Sequence, residues 1–300
     1  MSVKPDSLRT FVTVASCGQL SEAARQLNRT PSAVSMGLKQ FETQLGAALF
    51  ETDRKSTLTP LGHFVLEEGQ RALNDFDESI RTIQRYVDGE MGTIRLATVP
   101  SVATHLLPGV VQNFHAERPN VRLELRDIDS VSVAAAVRNG SVDFGIASRP
   151  ASAHDLSTEL LLEEPFGVVC SKEHALTQHE DAIQWEMLAG VSLISNGLSA
   201  LIRHPAFSPM NSSSTIHIHN IATLLGFVRQ GIGITLLPRL VIQNDAGLRF
   251  LALADQGLMR RLYFLQHKQH RLSPAALALK AILQITIRAA AHNADTASPS

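Results

Sequence analysis

At 300 residues, with 44% hydrophobic and 18% charged side chains, the chain has a globular composition and room for about two domains, which excludes a fibrous or mainly disordered protein. Its formal charge of −1 carries no overall basic excess, so a nucleic-acid footprint, if there is one, must be local. The opening MSVKPDSLRTFVTVA lacks the apolar core and cleavage site of a signal peptide, and no apolar run approaches the length of a membrane span, so a cytoplasmic protein with no membrane partner is expected.

Leu8, Phe11, Val12 and Ala15 share one face of a first predicted helix. The run from Ser21 to Glu42 then reads as two short helices around a tight turn. Ala23, Ala24 and Leu27 form one apolar stripe, and Val34, Leu38 and Phe41 form another at i, i+4, i+7. Between them Asn28 ends a helix, Arg29 follows, Thr30 can cap the next helix and Pro31 suits its first turn. The outward positions of that second helix are Ser32, Ala33, Ser35, Met36 and Lys39. Side chains this short let a helix approach base edges in a major groove, with Lys39 and the first amides turned to phosphate. Downstream, Asp53 to Gly62 reads as a wing between apolar anchors, with Arg54 and Lys55 at its tip placed for phosphate or the minor groove. Residues 1–60 hold seven basic and five acidic side chains, a modest local excess.

Residues 3–62 resemble the winged helix-turn-helix of the LysR-type transcriptional regulators. The likeness rests on LRTFVTVASCGQLSEAARQL, TPSAVS, LKQFETQLGAALFE and LTPLG. It implies double-stranded promoter or operator DNA as partner, contacted by Arg29, Thr30, Pro31, Ser32, Ala33, Ser35, Met36, Lys39, Arg54 and Lys55. It also implies RNA polymerase as a further partner. One departure stands out. Met36-Gly37 replaces the longer polar pair common in the family, which removes polar base contacts, and Gly37 costs about 1 kcal/mol of helix propensity.

Leu66, Gly69, Leu73, Phe76, Ile80, Ile83 and Val87 recur in alternating steps of three and four, the seam of a coiled coil. A helix from Pro60 to Tyr86 would run about 40 Å, too long for a small winged domain to cover. Leu73, Phe76, Ile80, Ile83 and Val87 are therefore expected to dimerise the chain, with Glu67–Arg71 and Asp77–Arg81 as favourable i, i+4 pairs. The helix gives way at Asp88-Gly89-Glu90-Met91-Gly92, a hinge.

From Thr93 the pattern alternates strands (TIRLATV, VRLELRD, VDFGIAS) with helical segments around His105 to Glu117 and Val131 to Asn139, which spells parallel α/β. FGVVCS, VSLIS, STIHIH, GITLLP and RLYFLQH follow, with helices near Gln184 to Leu188 and Ile221 to Arg229 and a closing helix near Pro274 to Ala291. The expected fold is thus an α-rich winged helix-turn-helix (1–62), a linker helix and hinge (63–91), and an α/β effector domain (92–300). The effector domain resembles the two-lobed periplasmic-binding-protein architecture, lobe I covering about 92–163 and 268–292 and lobe II about 164–267. The tail HNADTASPS is small and polar.

In open parallel sheets ligands bind beyond the carboxyl ends of strands. Ser101 and Ser130 follow two such strands and match places where family members hold a polar group of a small effector. Thr98, Ser148 and Arg149 lie near other strand ends. Ser195, Asn196, Gly231 and Ile232 are expected to face them across the cleft. By analogy with the family the effector is a small organic acid or amino-acid-like molecule, and the assembly a homodimer pairing into a homotetramer.

His217 and His219 share one face of a strand and could chelate a metal, but no further ligand completes a set, so no metal or cofactor is expected. Cys17 and Cys170, the only cysteines, lie far apart in the sequence. A metal- or redox-responsive regulator of the same fold is the alternative reading. A solute-binding protein or an enzyme on an α/β scaffold stands further off, because no GxSxG, P-loop, GxGxxG or HExxH occurs; no enzymatic activity is expected.

Overall fold

A computed structural model describes residues 3–51, 57–242, 245–255 and 257–296, with side chains to residue 287. The chain divides into two compact units, 1–85 and 86–300.

The first unit opens with α1 (Pro5–Cys17), α2 (Leu20–Gln26) and α3 (Pro31–Leu45). Asn28 adopts a left-handed φ of 51°, which turns the chain between α2 and α3. The Thr30 hydroxyl then caps α3 by accepting from the Ala33 amide at 3.2 Å, with Pro31 in the first turn. Phe11, Val14, Ala23, Ala24, Val34, Leu38 and Phe41 form the core of the three helices, joined by Leu49 and Phe50. Each large buried side chain there contributes about 1.5–3 kcal/mol of hydrophobic stabilisation. Phe50 bridges Leu58 in antiparallel fashion and the Glu51 amide donates to the Thr57 carbonyl at 3.0 Å, the base of a wing.

Helix α4 (Pro60–Val87) follows as one uninterrupted helix. Its first half packs on its own unit. A Cβ at Gly69 would stand 3.0 Å from Leu8 Cδ1 and 3.1 Å from Val12 Cγ2, so glycine lets α4 lie close on α1. Arg9 clamps the crossing by donating to Asp77 Oδ2 at 3.0 Å and to Oδ1 at 2.5 Å. The expected Asp77–Arg81 pair gives way to Glu78–Arg81 because Asp77 is engaged by Arg9, and Arg71 pairs with Glu68 at i, i+3 in place of Glu67.

The second unit follows in the order β1 (Met91–Thr98), α5 (Pro100–His105), α6 (Leu107–Glu117), β2 (Asn120–Asp127), α7 (Ser130–Arg138), β3 (Phe144–Ala147) and β4 (Leu156–Ser171). Then come β5 (Ile194–Asn196), α8 (Phe207–Ser213), β6 (Ile216–Ile218), α9 (Ile221–Arg229), β7 (Thr235–Pro238), β8 (Leu248–Ala252), β9 (Met259–His267) and α10 (Pro274–Thr296). Pro108, which has no N–H to continue a helix, accompanies a break at Leu106 where the sequence suggested one helix. The helix expected at Gln184 to Leu188 is a 3₁₀ turn, Trp185–Leu188.

Strand β1 pairs in parallel with β2 and β3, as the sequence pattern suggests. The sheet as a whole is mixed: β9 is antiparallel to β3 and β4, and β7 and β8 are antiparallel to β4. The physical reason is the connection between lobes. One long strand carries the chain from lobe I to lobe II and β9 brings it back, so the two must run in opposite directions. One core surrounds β1, β3, α6, α7 and α10, with Phe144 stacked on Phe264 at 4.6 Å. Two smaller cores, around Phe166, Phe207 and Leu236 and around Leu224, Val228 and Leu237, fill lobe II. Among the described residues, no helix is long and apolar enough to cross a membrane.

Candidate DNA-reading surface and interlobe cleft

Because Val34, Leu38 and Phe41 face inward, the 3.6-residue period turns Ser32, Ala33, Met36 and Lys39 of α3 outward, with Ser35 half-buried. Met36 is 71% exposed, unusual for an unbranched apolar side chain on a helix whose other face makes the core. Thr30 and Pro31 are exposed at the helix start, and Arg29 is held there by an ion pair to Asp6 at 2.7 Å. Arg54 and Lys55 lie outside the described residues. On α4, Leu73 is buried within its own unit, whereas Phe76, Ile80, Ile83 and Val87 are 44–60% exposed. A row of large apolar side chains left in water along one helix is a surface in need of a partner.

In the second unit a cavity of about 470 Å³ opens between the lobes. Lobe I supplies Pro100, Ser101, Thr104 and His105 from α5 and Asp127 from the end of β2. Lobe II supplies Asn220, Ile221, Ala222 and Leu225 from α9 and its cap, then Val241, Ile242, Asp245 and Ala246. The volume suits a small organic ligand.

Beneath the cleft, where β4 and β9 cross between lobes, Glu163 faces Arg261 and Glu164 faces Arg260 in register. Alternation along the strands sends the two pairs to opposite faces. Arg261 meets Glu163 at 2.6 Å in solvent, while Arg260 and Glu164 are buried, their side chains 2% and 8% exposed. Arg260 Nε donates to Glu164 Oε1 at 2.8 Å, and Arg260 Nη2 donates to the same oxygen and to Ser101 Oγ at 2.9 Å. Glu164 Oε2 accepts from the Leu240 amide at 2.8 Å. Burial pushes the Arg260 pKa down and Glu164 pulls it back up; arginine starts high enough to remain charged. This network joins a cleft residue of lobe I, Ser101, to the turn of lobe II that carries Val241 and Ile242. Sequence reasoning passed over it, although paired acidic and basic dipeptides, EE at 163–164 and RR at 260–261, were the available signal.

Among the effector contacts suggested by sequence, Ser101 lines the cavity. Thr98, Ser130, Ser195 and Asn196 hold internal hydrogen bonds, while Ser148 takes part through its backbone amide. Thr98 is buried and donates to the Ile146 carbonyl at 3.2 Å. Ser130 Oγ accepts from the Ser148 amide at 3.2 Å, and the cap of α7 is Asp129, which accepts from the amides of Val131 and Ser132 and from the Ser132 hydroxyl. Ser195 Oγ is 2.7 Å from His217 Nδ1. Asn196 donates to Thr235 Oγ1 and the Leu236 carbonyl and accepts from the Leu198 amide. Gly231, with φ of 73°, turns the chain out of α9, and Ile232 is 44% exposed beside it; neither lines the cavity. As effector contacts, sequence reasoning named none of the other lining residues, among them the acidic Asp127. Partial burial at the rim of the cleft pushes its carboxyl up from the usual aspartate value.

His217 and His219 do share a face, their rings 4.4 Å apart. Among the described residues no three His, Cys, Asp or Glu side chains gather as a metal set would require. His174 caps a 3₁₀ turn, its Nδ1 accepting from the Leu176 amide. Cys17 and Cys170 lie in different units, and burial pushes the Cys170 thiol up to about 11, which keeps it protonated and unreactive.

A capped recognition helix in one unit and a ligand-sized interlobe cleft in the other define a ligand-responsive DNA-binding regulator. Residues 5–63 match the family described as bacterial regulatory helix-turn-helix protein, lysR family, and residues 88–287 match the LysR substrate binding domain. The Shigella flexneri HTH-type transcriptional regulator YfeR is 30% identical over 286 residues, 93% of this chain and 92% of that protein. The crystal structure of CbnR, a LysR family transcriptional regulator, superposes with a TM-score of 0.72 at 16% identity over 94% of this chain and all of that one. Full-length CbnR complexed with its target DNA gives 0.70 at 15% identity, over 95% and 100% of the two chains. The chain belongs to the LysR family of DNA-binding transcriptional regulators, with a helix-turn-helix region followed by an effector-binding domain.

Proposed function

We propose that α3 docks in the major groove of operator DNA through Ser32, Ala33, Ser35 and Met36, with Lys39, Arg29 and the Thr30-Pro31 helix start on phosphate and Arg54 and Lys55 of the wing alongside. Met36 brings an apolar contact suited to a thymine methyl group, whereas Lys39 contributes affinity without sequence information. Two chains join along α4 through Phe76, Ile80, Ile83 and Val87, continuing the seam from Leu73, and dimers pair into tetramers. Residues 1–62, 63–91 and 92–300 thus serve as reader, linker and sensor. The protein works in the cytoplasm without catalysis, and its bound state is read by RNA polymerase.

The effector sits in the interlobe cavity, in contact with Ser101. It favours one lobe arrangement over another by its difference in affinity for the two, a coupling of about 1–3 kcal/mol in typical systems. The observation that carries this reading is the cavity itself, of about 470 Å³ and lined by both lobes, on a chain that also presents a capped recognition helix. The test is selection of duplexes from a random pool by the full chain, followed by titrations of the selected duplex in increasing salt. Lys39→Ala should weaken every duplex alike and reduce the salt slope by about 1 per subunit in contact. A chain that enriches no duplex, or a Lys39→Ala variant that binds with unchanged slope, would overturn the docking.

A further inference from the structure

We infer that the cleft selects an effector bearing a protonated amine, received by the Asp127 carboxylate, on an apolar body packed against Ile221, Leu225, Val241 and Ile242. This rests on reading the cleft as the effector site and names the chemistry it takes.

The charge of the lining decides the class. The ionisable side chains there are Asp127, Asp245 and His105, and among the described lining residues there is no lysine or arginine. Asp245 is already committed: its Oδ2 meets Arg229 Nη2 at 2.6 Å and its Oδ1 accepts from the Gly247 amide at 2.9 Å. The His105 ring places Nε2 3.3 Å from the Val241 carbonyl oxygen, so its donor is turned to the protein. Asp127 differs from both. It stands exposed at the end of β2 on the rim of the cavity, and no donor among the described residues reaches its carboxylate.

A carboxylate effector reaching Asp127 would set a second negative charge beside its carboxylate, and like charges so placed repel. An ammonium group reverses the sign and offers three donors to a group with accepting capacity to spare. Of the two effector classes suggested by family analogy, a plain organic acid meets the wrong charge, whereas an amino-acid-like molecule carries the required ammonium. The walls from α9 and the 241–242 turn give the apolar remainder of the ligand its contacts.

The test is calorimetric titration of the full chain with n-hexylamine and 2-phenylethylamine, each against the alcohol and the carboxylate of the same skeleton. The amines should bind about tenfold or more tightly than the alcohols, the fold-change of one hydrogen bond to a charged group, and the carboxylates should bind more weakly still. Asp127→Asn, at an exposed strand end, should erase the amines' advantage while the melting temperature stays unchanged. Ala222→Trp, which fills the cavity from α9, should abolish all binding. Carboxylates equal to or better than amines, an advantage that survives Asp127→Asn, or no amine binding up to about 10 mM would each overturn the inference. Carboxylate binding lost in Ala222→Trp would retire the ammonium but keep the cleft as effector site; amine binding that persists in Ala222→Trp would retire the cleft as well.

Discussion

Removing one partner of the buried Glu164–Arg260 pair should be far more damaging than removing both. In Glu164→Leu the Arg260 guanidinium, with a side chain 2% exposed, keeps its charge and loses its counter-charge. Breaking a buried pair in this way costs about 3–5 kcal/mol. The Leu240 amide, which donates to Glu164 Oε2 at 2.8 Å, is orphaned at the same time for about 1–3 kcal/mol. For a unit the size of residues 86–300 each kcal/mol lowers the melting temperature by about 2–4 °C, so the single variant should melt about 8–30 °C lower. Arg260→Met leaves Glu164 charged and buried but still paired with the Leu240 amide, and should lie toward the lower end. In Glu164→Leu/Arg260→Met no charge remains. The Ser101 hydroxyl can turn to cleft water, and the chief remaining debt is the Leu240 amide, so the double variant should lie within about 1–3 kcal/mol of the parent. Trp185, the one tryptophan of the chain, sits in this unit, so its fluorescence during denaturant unfolding reports the relevant transition. A double variant as unstable as the sum of the singles, within about 0.5 kcal/mol, would show that the two charges do not depend on each other and would refute the reasoning.

Phe76→Asp with Ile80→Asp should give monomers by light scattering and much weaker operator binding, with the melting of each unit nearly unchanged, because both side chains are substantially exposed within one chain; an unchanged mass would show that the seam lies elsewhere. Asp129→Ala should cost about 1 kcal/mol by uncapping α7. Hydrogen bonds from the Ser132 hydroxyl and amide hold the Asp129 carboxyl below the usual aspartate value, so its contribution is complete above that usual value and fades as pH falls through the depressed one. Melting curves of parent and variant should therefore converge in acid below that range and stay apart at neutral pH.

Where structure followed from contiguous spacing, the sequence was readable. Val34, Leu38 and Phe41 face the core as their period requires, and Thr30 caps the helix that it precedes. The alternating steps along α4 mark a real helix, but they could not reveal that its first half is already covered. Gly69 and Leu73 belong to the same seam as Phe76 and Ile80, yet the first two are buried against their own unit and the last two are not. The Asp77–Arg81 pair failed for the same reason. Spacing rules rank Asp77 with Arg81, whereas the winning partner, Arg9, lies 68 residues away. A competitor on another helix is invisible to any local rule. The parallel pattern of β1, β2 and β3 was likewise legible, and the reversal at β9 was not, because it follows from how the chain returns between lobes.

The cleft shows the limit more sharply. The rule that ligands gather beyond the carboxyl ends of strands led to the region where the cavity opens: Thr98 and Asp127 end β1 and β2, and Ser101 and Ser130 lie just beyond. It could not say which of these polar groups stays available, because that depends on what the folded protein consumes. Thr98, Ser130, Ser195 and Asn196 are spent on hydrogen bonds that hold strands and turns together. Asp127 is what remains, and it carries a charge. A side chain that the fold needs can be replaced only at a cost in stability, whereas one the fold leaves unpaired can be tuned to a ligand. On that ground Asp127→Asn should alter the response to effector and leave stability intact, whereas Asn196→Ala, which strips three internal hydrogen bonds, should do the reverse.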